Sequence, residues 1–256
     1  MDSIQERLWY SAGLKSLEYI SSDAEVVAFG AGRTVLQALK AFYEKEMHRG
    51  RKIVCGSLGT EEYAKSLKIE TLRPEDFSGK LAVYIDGADQ IDPSKNLIKG
   101  GLKINPDGSF KCSGDPGREG CMYKEKELAK RAERFVVVAD SAKHTPYLGF
   151  NDYPLPIEFD PGKLIDVAMF LRNKFNTLPK LRRNPDGSEF ETENSVDDRH
   201  CQIFDIAFNG TKFCDLTELE QELDYYDGIY SSGLFSIRKP DIVIVADSGS
   251  GNVNIF

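Results

Sequence analysis

The sequence predicts an α/β fold: a Rossmann-like open, mostly parallel sheet domain with a smaller α+β, ferredoxin-like domain inserted into it. Three observations carry that expectation. Short apolar runs alternate with helical periodicity through the first half, the order that builds a parallel sheet covered by helices. Three of the strand-like runs end in aspartate, at Ile85-Asp86, Ala139-Asp140 and Ala246-Asp247. The texture changes near Tyr153 and returns to the first kind at Asp241, as an insertion before a last strand would make it.

Each element has its own justification. "MDSIQERLWY" opens an amphipathic helix, with Ile4, Leu8 and Ala12 on one stripe. "EVVAFG" (25–30) is a buried-strand run, and the helix after it places Leu36, Leu39 and Phe42 on one face. "KIVCG" (52–56), a short helix near 61–67 and "LAVYI" (81–85) continue the alternation. "RFVVVAD" (134–140) follows the helix "KEKELAKRAER". From "YPLPIEF" (153–159) onward, the helix "LIDVAMFLRNKF", the strand "CQIFDIAF" and the helix "LTELEQELD" make a small α+β unit. "DIVIVADSG" (241–249) is again a buried strand of the first type. The division expected is 1–150 with 229–256 for the main domain and 151–228 for the smaller one. "NPDGSFKCSGDPGREG" (105–120) and "RNPDGSEFETENSVDD" (183–198) carry the Gly, Pro and Asp of surface loops.

At 256 residues, 41% hydrophobic and 29% charged, the chain has the composition of a soluble globular protein. Its net charge of -8 argues against nucleic acid or an anionic membrane as partner, since either wants a basic face. Apolar runs stay well short of the roughly 18 residues of a membrane span. The acidic, polar start lacks the basic-then-apolar order of a secretory signal, so a cytoplasmic location is expected. The 5 cysteines form no CxxC pair, and their odd number suits reduced thiols. Cys55 and Cys201 lie in strand-like runs and belong in the core. The 3 histidines show no metal-site spacing, and no metal is expected.

The chemistry concentrates in "YIDGADQIDPSKNLIKGG" (84–101). Asp86 and Asp89 follow a strand and are separated only by Gly87 and Ala88, too small to hold a ligand away from either carboxylate. In open parallel sheets ligands bind outside the carboxyl ends of the strands, so this stretch sits where a site belongs. "FGAGRTV" (29–35) is a second strand-to-helix turn, with backbone N–H groups suited to a phosphate. It does not predict NAD: Val35 stands where a third glycine would, and "RGRK" (49–52) occupies the region of the expected acidic residue. Taken singly, Lys99, Glu125 and Lys143 read as solvated charges, and Glu127 with Arg131 as an ordinary i,i+4 pair. "SGLFSIRKPD" (232–241) offers no identifiable chemistry.

Together, "GAGRT", "DGADQ", "LIKGG", Glu125-Lys126, "VVVADSAK", "YPLPIEF" and a late "SSGLF" occur in the order found in the type A ribose-5-phosphate isomerases, which the chain resembles from its first helix to its C-terminus. The resemblance implies interconversion of ribose 5-phosphate and ribulose 5-phosphate through an enediolate, with no metal or organic cofactor. It implies Glu125 as the base moving a proton between C2 and C1, with Asp86, Asp89 and Lys99 beside it. It assigns substrate contact to Gly30, Ala31, Gly32, Arg33 and Thr34, to Gly87, Ala88, Gly100 and Gly101, and to Lys143. A sugar phosphate is the implied partner, and a homodimer or homotetramer the implied assembly. The chemistry wants such a set independently, because a proton α to a carbonyl leaves only when a positioned base meets a stabilised oxyanion.

The chain also departs from the pattern. Ala31 and Arg33 stand where the family has hydroxyls, Trp9 and Tyr10 where many members have a helix-one lysine, and Leu102 where a third glycine is usual. An insertion follows over 102–120. Arg33 is therefore expected to take the substrate phosphate; the alternative is an ion pair with Glu44 or Asp23. A sugar-phosphate sensor of related fold without turnover is the second functional reading.

Overall fold

The structure is a computed structural model and describes residues 4–101, 103–104, 110–111, 122–184, 186–192, 194–247 and 249–256. In chain order, α1 (Ile4–Ser16) precedes β1 (Val26–Phe29), α2 (Arg33–Glu44), β2 (Lys52–Cys55), α3 (Leu58–Ser66), β3 (Thr71–Leu72) and β4 (Leu81–Asp86). Short strands β5 (Gln90–Ile91) and β6 (Leu97–Ile98) and the pair β7 (Lys103–Ile104) and β8 (Phe110–Lys111) lead to α4 (Met122–Arg131) and β9 (Ala132–Asp140). Next come β10 (Leu155–Phe159), α5 (Leu164–Phe175), β11 (Lys180–Leu181), β12 (Ser195–Val196), β13 (Arg199–His200), β14 (Gln202–Ile206) and α6 (Leu216–Tyr225). The order ends with β15 (Ile229–Ser232), β16 (Leu234–Phe235), β17 (Ile242–Ala246) and β18 (Val253–Ile255). The chain divides into two compact units: Met1–Ala88 with Lys124–His144 and Arg238–Phe256, and Asp89–Tyr123 with Thr145–Ile237.

The first unit holds a sheet of seven strands among the described residues, ordered β18-β17-β9-β4-β1-β2-β3. All neighbours run parallel except the edge strand β18, which is antiparallel to β17. The central strands are apolar on both faces because both faces are covered, so Val27, Ala28, Phe29, Val83 and Ile85 are fully buried. Helices α1 and α2 meet at Gly13, where a Cβ would lie 2.6 Å from the Ala38 backbone. On α1 the buried stripe runs through Leu8, Trp9 and Ala12, while Ile4 stays exposed. Periodicity alone carried the stripe one turn too far.

Two local expectations need correction. The helical pattern of "KEKELAKRAER" continues past the real helix end, because Ala132 already pairs with Leu81 in the sheet. Arg131 does not pair with Glu127 either. It donates to the carbonyls of Pro74, Phe77 and Gly79, and Glu127 takes Lys130 at 3.0 Å instead.

The second unit carries a four-stranded antiparallel sheet, β11-β14-β10-β15, with α5 and α6 in the connections. That is the β-α-β-β-α-β arrangement expected of the smaller domain. Leu155, Ile157, Phe159, Phe204 and Ile206 share one apolar cluster with Val167, Leu171, Leu219 and Leu223 of the helices. Pairing of Pro156 with Asp205 and Glu158 with Ile203 places these four on the opposite side of the pleat. The stretch 183–198 is not the plain surface loop its composition suggests. Phe190, Thr192 and Asn194 are buried, and the Thr192 hydroxyl and Asn194 amide donate to Glu158 Oε1 at 2.5 and 2.8 Å. A buried carboxylate needs such donors, and the segment supplies them. The other loop expected, 105–120, lies outside the described residues apart from the β8 backbone.

Candidate active site

In the first unit the segments singled out by sequence all follow the carboxyl ends of parallel strands: Gly30–Thr34 after β1, Asp86–Ala88 at β4, and Asp140–Lys143 at β9. Asp86 is 0% exposed and organises the first two. Its Oδ1 accepts the Ala31 N–H at 3.0 Å and the Gly87 N–H at 2.7 Å, and its Oδ2 accepts the Tyr84 hydroxyl. A carboxylate can be buried only with donors of this kind around it. Gly30 is required beside it, since a Cβ there would sit 2.0 Å from Asp86 Oδ1. From the other side, the Thr60 hydroxyl donates to the Gly30 carbonyl at 2.6 Å.

Arg33 opens α2 and is exposed, but it does not pair with Glu44 or Asp23. Glu44 instead accepts the Tyr10 hydroxyl at 2.6 Å. The guanidinium lies 4.7 Å from the centre of the buried Trp9 ring, a cation–π contact. Trp9 in turn donates its Nε1–H to Asp140 Oδ2 at 3.3 Å. Asp140 Oδ1 caps the turn bearing Lys143 by accepting the Ala142 N–H at 3.1 Å. Trp9 thus stands behind two of the candidate binding segments, a role the sequence did not suggest. Glu125, in the first turn of α4, is 5% exposed. Its neighbour Lys124 donates to Glu75 at 2.9 Å, and against the opposing effect of burial this bond holds the Glu75 carboxyl below its ordinary range.

The second unit brings Asp89, Lys99, Gly100 and Gly101 together. Asp89 donates its N–H to the Ile98 carbonyl and accepts the Gly101 N–H on Oδ2, both at 2.8 Å. A Cβ on Gly101 would fall 2.3 Å from that oxygen and 1.9 Å from the Tyr153 hydroxyl, so only glycine fits. Lys99 is 3% exposed, bonds through its N–H to the Gly233 carbonyl, and holds its ammonium 5.7 Å from the Phe235 ring. Gly233 and Phe235 belong to "SGLFSIRKPD", where the sequence alone offered no chemistry. Among the described residues, no cluster of three or more His, Cys, Asp or Glu side chains is placed to hold a metal ion. Among the same described residues, no helix is long and apolar enough to cross a membrane.

Comparison with known proteins points to one family. The family model described as ribose 5-phosphate isomerase A (phosphoriboisomerase A) matches residues 52–250. The ribose-5-phosphate isomerase A of Stenotrophomonas maltophilia is 32% identical, over 91% of this chain and 93% of its own. That of Haemophilus influenzae is 30% identical, over 91% of each. A solved D-ribose-5-phosphate isomerase in complex with phospho-erythronic acid is 25% identical, with a TM-score of 0.78 over 100% of this chain and 99% of its own. The Methanocaldococcus jannaschii ribose 5-phosphate isomerase A structure, at 22% identity, shares the fold with a TM-score of 0.77, over 98% and 99% of the two chains. By sequence and by fold, this chain belongs to the ribose 5-phosphate isomerase A family.

Proposed function

We propose that this isomerase interconverts D-ribose 5-phosphate and D-ribulose 5-phosphate through an enediolate, as a step of the non-oxidative pentose phosphate pathway in the cytoplasm. Starting from the aldose, Glu125 takes the C2 proton of the open-chain aldehyde; the electron pair of that bond forms the C1–C2 double bond, and the carbonyl π pair moves onto O1. In this reading the Lys99 ammonium stabilises the developing oxyanion, the usual role of a cation in such a step. Asp89, oriented by the Gly101 N–H, relays the hydroxyl proton as O1 and O2 exchange roles. Glu125 then returns its proton to C1. Asp86, with both oxygens engaged, serves by shaping the Gly30–Ala31 turn that receives the phosphate, together with Arg33, Thr34 and Lys143.

The observation that carries the reading is Lys99, a lysine only 3% exposed in a loop whose second glycine fixes a carboxylate. A buried ammonium next in the chain to glycines that orient a carboxylate supplies the cation that an enediolate oxyanion requires. The direct test is to incubate purified protein with ribose 5-phosphate and EDTA and to follow ketose formation. Glu125→Gln should fold normally and lose turnover by about 10² to 10⁴ with little change in binding, the usual cost of a missing general base. More than a tenth of wild-type kcat in that variant would remove Glu125 from the role. Binding without turnover in the wild type would favour the sensor.

A further inference from the structure

Arg182 follows β11 and is 4% exposed. Its guanidinium forks onto Asp205 of β14, with Nε to Oδ2 at 2.9 Å and Nη2 to Oδ1 at 2.6 Å. Nη1 takes no part in that fork and donates to the carbonyl oxygen of Gly100 at 2.8 Å. A buried ion pair is weak ground for stability, because desolvation of the two charges offsets their attraction. The third bond says more. It reaches the backbone of the lysine loop, between Lys99 and Gly101.

The Gly100 carbonyl and the Gly101 N–H belong to one peptide unit, which is planar and trans, so they point in opposite directions. Holding the carbonyl on Arg182 therefore aims the N–H the other way. That N–H is the one Asp89 Oδ2 accepts at 2.8 Å. The plane is clamped between a buried cation on one side and the candidate carboxylate on the other. Nothing intrinsic would hold it otherwise. Gly100 sits at φ +81 and its neighbour is also glycine, so the plane can rotate at little cost. The cation also polarises the peptide, which strengthens the N–H as a donor.

We infer that Arg182 is a positioning residue for the isomerisation: by clamping the Gly100–Gly101 peptide plane it fixes the orientation of Asp89 and the seat of Lys99. This rests on the roles proposed for Asp89 and Lys99. Arg182→Met alone strands Asp205 in the interior, so the informative variant replaces both charges, Arg182→Met with Asp205→Leu. Exchange of a whole buried pair for apolar side chains commonly leaves a protein as stable or more so. The double variant should melt close to the wild type, with KM within about threefold and kcat lowered by about tenfold to a hundredfold, the scale of an ångström misplacement. A kcat within about threefold of wild type in this variant would make the pair merely structural and overturn the inference.

If the double variant does not fold, Arg182→Lys decides. It keeps a buried cation for Asp205 but cannot supply a fork and a third donor in one plane, so kcat should fall while the melting temperature holds. An unchanged kcat overturns the inference. Lys99→Ala in the same assay separates the two readings. Loss of turnover in Lys99→Ala with activity kept in the double variant defeats the inference alone. Activity kept in Lys99→Ala, or a wild type without turnover, defeats the functional reading and the inference with it.

Discussion

Arg33 is where this chain's own chemistry is easiest to test. The family's loop uses hydroxyls and many members add a lysine on the first helix; here the loop has Ala31 and Arg33, and the helix has Trp9. The guanidinium lies on the Trp9 ring, and among the described residues it donates no hydrogen bond and joins no ion pair. A cation kept on an aromatic face without a carboxylate retains its hydrogen-bonding edge for an anion, and stacking limits the entropy lost when one binds. Arg33→Ser, which restores the family's residue type, should raise KM for ribose 5-phosphate by about tenfold, equivalent to about 1.4 kcal/mol of binding. Any activity on unphosphorylated ribose should not change. An unchanged or lower KM would leave Thr34, Lys143 and the backbone amides to hold the phosphate. Arg33 and its departure were legible in the sequence; the stacking on Trp9 was not, since it depends on how α1 and α2 pack and leaves no local pattern.

At the scale of elements, the turn between β1 and α2 depends on a residue from another strand. Asp86 at the end of β4 binds the Ala31 N–H, and Gly30 leaves room for that carboxylate. The sequence offers Gly30 and Asp86 as separate features of two strand ends, 56 positions apart; their contact follows only from β1 and β4 being adjacent in the sheet. Gly30→Ala tests the dependence. The new Cβ would lie 2.0 Å from Asp86 Oδ1, and the carboxylate cannot swing away without abandoning the Ala31, Gly87 and Tyr84 donors. Overpacking of this kind costs about 1–3 kcal/mol, to be read as a fall in the denaturant midpoint, and activity should fall with it. A variant with wild-type midpoint and turnover would mean that the turn relaxes freely and that Asp86 does not hold it. Elements whose signal is tertiary escaped the sequence in the same way: the 183–198 segment has a loop's composition, yet Thr192 and Asn194 are needed as donors to the buried Glu158.

At the scale of the whole molecule, the chain passes between its two units four times, after Ala88, Tyr123, His144 and Ile237. The alternation of strands and helices revealed the large sheet and a strand-helix-strand-helix part of the smaller unit, because each buried strand leaves a local apolar run; β11, two residues long and not buried, leaves none. Which residues belong to which unit is settled by contacts distant in sequence, and no local pattern encodes those. The discontinuity has a consequence for stability. Neither unit is a continuous stretch of chain, so neither can form without closing loops through the other, and the two should unfold in one cooperative step. Two thiols can report on it. Cys55 in the first unit and Cys201 in the second are both buried, and burial pushes each thiol up to about 12, helped at Cys55 by Glu61 and at Cys201 by Glu158. Since the thiolate is the reactive form, both should resist an alkylating reagent while folded. Cys214 is exposed and should react at once, giving an internal standard. Alkylation across a denaturant series, with each cysteine followed on its own peptide by mass spectrometry, should give Cys55 and Cys201 the same midpoint. Labelling of Cys201 at clearly lower denaturant than Cys55 would show that the second unit opens by itself, and the four crossings would then be no obstacle to its independence.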